Sequence, residues 1–78
     1  MSLLDQLNRE QRGRMIRALA TRYGHSLGTY TFAFVRLSVA GVPIYRATDS
    51  ENGAWIECRF LTGQFGRLVV VSEGGPTR

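Results

Sequence analysis

The chain has 78 residues, 44% of them apolar, and ten basic against six acidic side chains give a formal charge of +4. That length excludes a second domain, and the apolar share beside only 21% charged residues excludes a disordered composition. A domain this small leaves much of its surface unburied, which makes a homodimer a candidate source of further burial.

The first third reads as helix. Ser2 followed by Asp5 has the form of a capping box, and Asn8 followed by Gln11 is a weaker start signal of the same type. At about 100° per residue, Ile16, Leu19, Ala20 and Tyr23 share a face while Leu3 and Leu7 fall nearly opposite it. One straight helix would expose those leucines. The spacing therefore predicts a short turn over 3–7, a break at Asn8, and a main helix from Arg9 to Tyr23 that Gly24 closes in a left-handed conformation. Gly13 in the helix interior costs about 1 kcal/mol relative to Ala, so either something packs closely there or the helix is locally weak. The solvent face carries Glu10, Arg14, Arg17 and Thr21, with Glu10 and Arg14 spaced for an ion pair. Arg12 falls beside Leu19 on the apolar face, where its stem must run along the core, by ordinary snorkelling or at a partner interface.

From Thr29 onward the period changes to two and the residues become β-branched and aromatic. Four strands are predicted, over 28–39, 42–48, 54–62 and 67–73, joined as a meander by Ala40-Gly41, by a loop ending in Asn52-Gly53, and by 63–66. Pro43 cannot donate to a ladder, which suggests an edge near that point of the second strand. The domain is expected to span 1–73, with 74–78 as a mobile tail.

Alternation places Ala33, Val35, Leu37 and Val39 on one side of the first strand and Tyr30, Phe32, Phe34, Arg36 and Ser38 on the other. In the third strand Ile56, Cys58 and Phe60 oppose Trp55, Glu57, Arg59 and Leu61. Neither side is cleanly polar, whereas one helix covers only one face. The expected architecture is thus an α+β domain, an N-terminal helical segment packed on a four-stranded antiparallel meander, curled like a barrel or paired with a second copy.

All ten basic residues are Arg, a bias that GC-rich coding produces as readily as selection for guanidinium chemistry. Cys58 has no intrachain partner, no apolar run approaches the ~20 residues of a membrane span, and Met1-Ser2-Leu3-Leu4-Asp5 lacks the order of a signal peptide. A cytoplasmic address without a membrane partner is expected.

No catalytic group is nominated. His25 and Cys58 are single soft ligands without paired spacing, so neither a metal nor another cofactor is expected. Cys58 lies between Ile56 and Phe60 and reads as a buried, inert thiol, while His25 suits a structural place after the helix end. Asp49 and Glu51 read as solvation of a polar hairpin loop, and Gly63-Gln64-Phe65-Gly66 lacks the lysine and following helix of a phosphate loop.

Two constellations concern binding. Five arginines at 9, 12, 14, 17 and 22 fall within the helix, with Arg14 and Arg17 outward, Arg22 to one flank, and Arg9 and Arg12 toward the core. Tyr30, Phe32 and Phe34 alternate on one strand face ahead of Arg36, a stripe that reads as core, as dimer interface, or as a platform for stacking bases. Partner binding is assigned on this basis to Arg12, Arg14, Arg17, Arg22 and Arg36, with Tyr30, Phe32, Phe34 and Trp55 as interface or stacking aromatics.

In size and style the chain is similar to the small, motif-free α+β products of phages and mobile elements, among them inhibitors of host defence such as anti-CRISPR proteins; the likeness carries no residue across. The leading expectation is a non-catalytic protein-binding module, an inhibitor or accessory factor acting on a host protein or nucleoprotein complex. The alternative is a basic nucleic-acid-binding protein that uses the helix arginines.

Overall fold

The computed structural model describes residues 7–61 and 67–77. Helix α1 spans Arg9–Tyr23 and is followed by β1 (Tyr30–Leu37), β2 (Pro43–Asp49), β3 (Trp55–Phe60) and β4 (Leu68–Gly74). The strands form one antiparallel sheet in the order β1-β2-β3-β4, and the helix lies across β2 and β3 on one side of it. The expected α+β meander is therefore present. Its barrel-like variant is not, because β1 and β4 remain the two outer strands and do not pair; four strands of six to eight residues are too few to close on themselves.

The helix begins where the weaker of the two start signals stands. Asn8 Oδ1 accepts from the Gln11 amide at 2.8 Å, and the Gln11 side chain accepts from the Asn8 amide at 3.0 Å, which satisfies two donors that the first turn leaves free. The predicted turn over 3–7 and the Ser2/Asp5 signal lie outside the described residues except for Leu7, which is buried in the core. At the other end Gly24 takes φ +88°, accessible to glycine without strain, and donates to the Ala20 carbonyl at 2.8 Å. Its ψ of 163° leads straight into extended chain, so it is not the left-handed helical residue expected. Nothing stands within 4 Å of where a Cβ on Gly13 would sit, which removes close packing as the reason for that glycine.

Met15 and Leu19 carry the helix into a core built with Leu7, Tyr45, Ala47, Ala54, Ile56, Cys58 and Phe60. Tyr30 and Phe32 from β1, and Leu68 and Val70 from β4, close its margins. Each fully buried side chain of this kind contributes about 1.5–3 kcal/mol. The helix C-terminus is fastened to β4, where Glu73 accepts from Arg22 Nε at 2.8 Å and from the Tyr23 hydroxyl at 3.1 Å. Both contacts hold the Glu73 carboxyl below its ordinary range, with Arg22 the larger cause.

Asp49 and Glu51 do more than solvate their loop, contrary to expectation. The Ser26 hydroxyl contacts both carboxylates, and Glu51 also accepts from the Leu27 and Gly28 amides. Asp49 is buried and accepts from the Glu51 amide at 2.9 Å. Glu51 thus pairs the Leu27 amide and shares the Gly28 amide with the Ser26 hydroxyl, and the carboxylates tie the loop after α1 to the β2–β3 turn. In the segment expected as a mobile tail, Gly74 belongs to β4 and the Thr77 amide donates to the Asn52 carbonyl at 2.8 Å.

Two irregularities decide which side chains share a face. Phe34 pairs with Tyr45 but the next pair is Arg36 with Ile44, so Val35 is an extra residue in β1. This bulge moves Arg36 off the aromatic face to which alternation assigned it and onto the opposite one. A second bulge, at Val71, lies in β4 between the pairs Glu57 with Ser72 and Cys58 with Val70. Strand β1 also stops at Leu37 rather than residue 39, because the Ser38 amide donates to Val42 O and the Gly41 amide to Ser38 O, turning the chain. Although β2 lies between β1 and β3, Pro43 stands at a local edge as expected: it pairs with Leu37 of β1, and the β2–β3 register begins only at Tyr45 with Cys58.

Candidate functional site

The sheet face turned away from α1 is composed of three rows. Thr31, Thr48, Trp55 and Gly74 form the first, and Ala33, Arg46, Glu57 and Ser72 the second. Beyond the β1 bulge, Arg36 pairs with Ile44 and Arg59 with Val69, which completes a third row. No described element covers this face.

The first two rows are locked together. Arg46 donates from Nε at 3.0 Å and from Nη2 at 2.7 Å to Glu57 Oε2, while its guanidinium lies 4.4 Å from the centroid of the Trp55 ring. Glu57 is buried beneath this arginine, so its charge is compensated within the row. The indole edge runs across Gly74, where a Cβ would overlap it. Trp55 is thereby held flat on the sheet, half-buried, with Arg46 above it.

The third row opens into a concavity of about 370 Å³, lined by Arg36, Val39, Ala40, Ile44, Arg59 and Val71 among others. Ile44 forms an apolar floor at 2% exposure, although it points away from the helix-side core. Val39 is fully exposed and Val71 is 42% exposed at the rim. Arg59 Nε is buried without a hydrogen-bond partner. Every described carboxylate is engaged elsewhere: Glu10 by Arg14, Asp49 and Glu51 by Ser26, Glu57 by Arg46, and Glu73 by Arg22. Among the described residues, Arg36 and Arg59 thus share one hollow with no acidic partner for either.

The helix arginines are dispersed. Arg14 pairs with Glu10 at 2.9 Å and Arg22 with Glu73 at 2.8 Å. Arg12 lies along the apolar side, its guanidinium 5.5 Å from the Phe32 ring centroid, with Nε buried and unbonded. Arg9 and Arg17 are exposed, the former against the expectation that it turns coreward. The aromatic stripe faces the helix side: Tyr30 and Phe32 pack against the core, and Phe34 meets Tyr45 edge-on with centroids 6.1 Å apart. Neither set joins Arg36 or Trp55, which lie on the opposite face.

Arg46 and Arg59, absent from the sequence-derived site, are its main additions. The signal for Arg59 was present in its alternation with Trp55 and Glu57, and Arg46 occupies the same phase in β2. Convergence with Arg36 was hidden because a bulge leaves no mark in a period-two pattern.

The Cys58 thiol is buried among apolar neighbours, which pushes it up to about 12, and His25 is exposed just beyond Gly24. Among the described residues no three His, Cys, Asp or Glu gather as a metal site, and no helix is long and apolar enough to cross a membrane. Compared with family models, with curated proteins and with solved structures, the chain matches none.

Proposed function

We propose that the protein is a non-catalytic protein-binding module that engages a host protein or nucleoprotein complex through the sheet face opposite α1. The observation that carries this reading is an uncovered face presenting Trp55, Arg36, Arg59 and apolar Val71 together. Tryptophan and arginine are the side chains most enriched among residues that dominate binding energy, and apolar neighbours exclude water around them. An inhibitor or accessory factor of phage or mobile-element type accords with the size and style of the chain. The burial and raised pKa of the Cys58 thiol also favour binding over thiol catalysis.

The nucleic-acid reading draws less support, because Arg14 and Arg22 are paired with carboxylates and Arg12 is packed on Phe32. Four phosphate contacts would lower affinity roughly a hundredfold between 50 and 200 mM salt. Tagged protein used as bait in bacterial lysate, with and without nuclease, separates the two. The module retains a discrete protein after nuclease treatment; retention that disappears with nuclease, or falls steeply with salt on mixed-sequence DNA and RNA, would overturn it.

A further inference from the structure

We infer that the hollow between Arg36 and Arg59 binds a carboxylate carried on an apolar peptide segment of the partner, an inference that rests on the protein-binding reading and specifies its chemistry. Charge decides the sign of the ligand. Neither guanidinium has an acidic partner among the described residues, since Arg46 already occupies Glu57, the carboxylate of the adjoining row. Two arginines beside one hollow create a positive potential that an anionic group lowers.

The walls decide what the anion is attached to. Ile44 floors the hollow and Val39 and Val71 rim it, so the acidic group must arrive with hydrocarbon beside it. A phosphate track is disfavoured on the same grounds, because the floor is apolar and the next row holds Glu57 rather than a further free cation. A volume of about 370 Å³ accommodates an acidic side chain together with one aliphatic neighbour.

The test is a titration of the ¹⁵N-labelled full chain with N-acetyl-Leu-Glu-Leu-amide, its Leu-Gln-Leu counterpart and inorganic phosphate, following backbone and arginine Nε–Hε signals. The acidic peptide is expected to shift Arg36, Ile44, Arg59 and Val71, and to bind about tenfold tighter than the glutamine peptide. Arg36→Gln, at an exposed position, and Arg59→Gln should each weaken it about tenfold, with Arg17→Gln unchanged. Absence of shifts up to 10 mM peptide, equal binding of the glutamine peptide, or phosphate binding as tightly as the acidic peptide would each overturn the inference. So would shifts of the same residues with protein concentration alone, which would give the face to a second copy of the chain. A lysate partner retained by the parent and lost by Val71→Arg while the peptides fail would refute the carboxylate assignment and leave the module reading standing.

Discussion

The two faces of this sheet differ in what holds them. On the helix side Ile56, Cys58, Ala47 and Tyr45 are covered by Met15 and Leu19, and the energy lies in hydrocarbon removed from water. On the far side the same strands alternate to Thr48, Arg46, Glu57 and Arg59, and order comes from an ion pair in which two guanidinium nitrogens share one carboxylate oxygen, laid over an indole. The first face is finished by packing, whereas the second retains, among the described residues, two guanidiniums without an acidic partner over an apolar floor. The proposed binding is assigned to the incomplete face.

The sharpest way to break that contrast is to shorten one apolar side chain on each face. Ile56→Ala should cost about 3 kcal/mol, because Ile56 is 0% exposed and the helix cannot settle into the space. Val71→Ala, at the rim of the far face, should cost no more than about 0.5 kcal/mol. Urea denaturation measures both, and comparable losses would mean that the far face is as tightly packed as the near one.

Gly74 offers an intermediate effect specific to the far face. Gly74→Ala drives a methyl into the Trp55 indole and should cost about 1–3 kcal/mol while moving tryptophan emission to longer wavelength as the ring lifts from the sheet. Unchanged emission and stability would show that the ring is not fixed across that glycine.

The smallest effect is one of pH, and it belongs to the helix side. Glu51 is held below its ordinary value of 4.5 chiefly by the Ser26 hydroxyl, and Glu73 chiefly by Arg22. A carboxyl whose folded value is depressed adds stability that is fully present above its unfolded value and is lost as pH falls through the folded one. The urea midpoint should therefore decline below pH 4.5, and Glu51→Gln with Glu73→Gln should flatten that decline. An equally steep decline in the double variant would assign acid sensitivity to other groups.

How much of this was legible in the sequence follows from the range of each signal. The Asn8–Gln11 capping box and the boundaries of α1 are local, and both stand as read from residue types three apart. The strand faces of β3 follow from strict alternation, which β3 obeys. Arg36 was assigned to the wrong face because one extra residue at Val35 inverts everything after it. Met15, the most buried helix residue, was passed over because a wheel centred on Ile16 places it at the margin, and only the sheet beneath sets the true centre. The roles of Asp49 and Glu51 depend on Ser26, more than twenty positions away, a pairing that composition does not encode.

The central claim is that the protein binds through the sheet face opposite the helix. The most direct test is retention of a nuclease-resistant lysate partner by the parent chain, by Arg36→Glu and by Arg17→Glu, side by side at equal bait loading. The account predicts that Arg36→Glu loses the partner while Arg17→Glu keeps it. Loss by Arg17→Glu with retention by Arg36→Glu would place the binding surface on the helix and contradict the account.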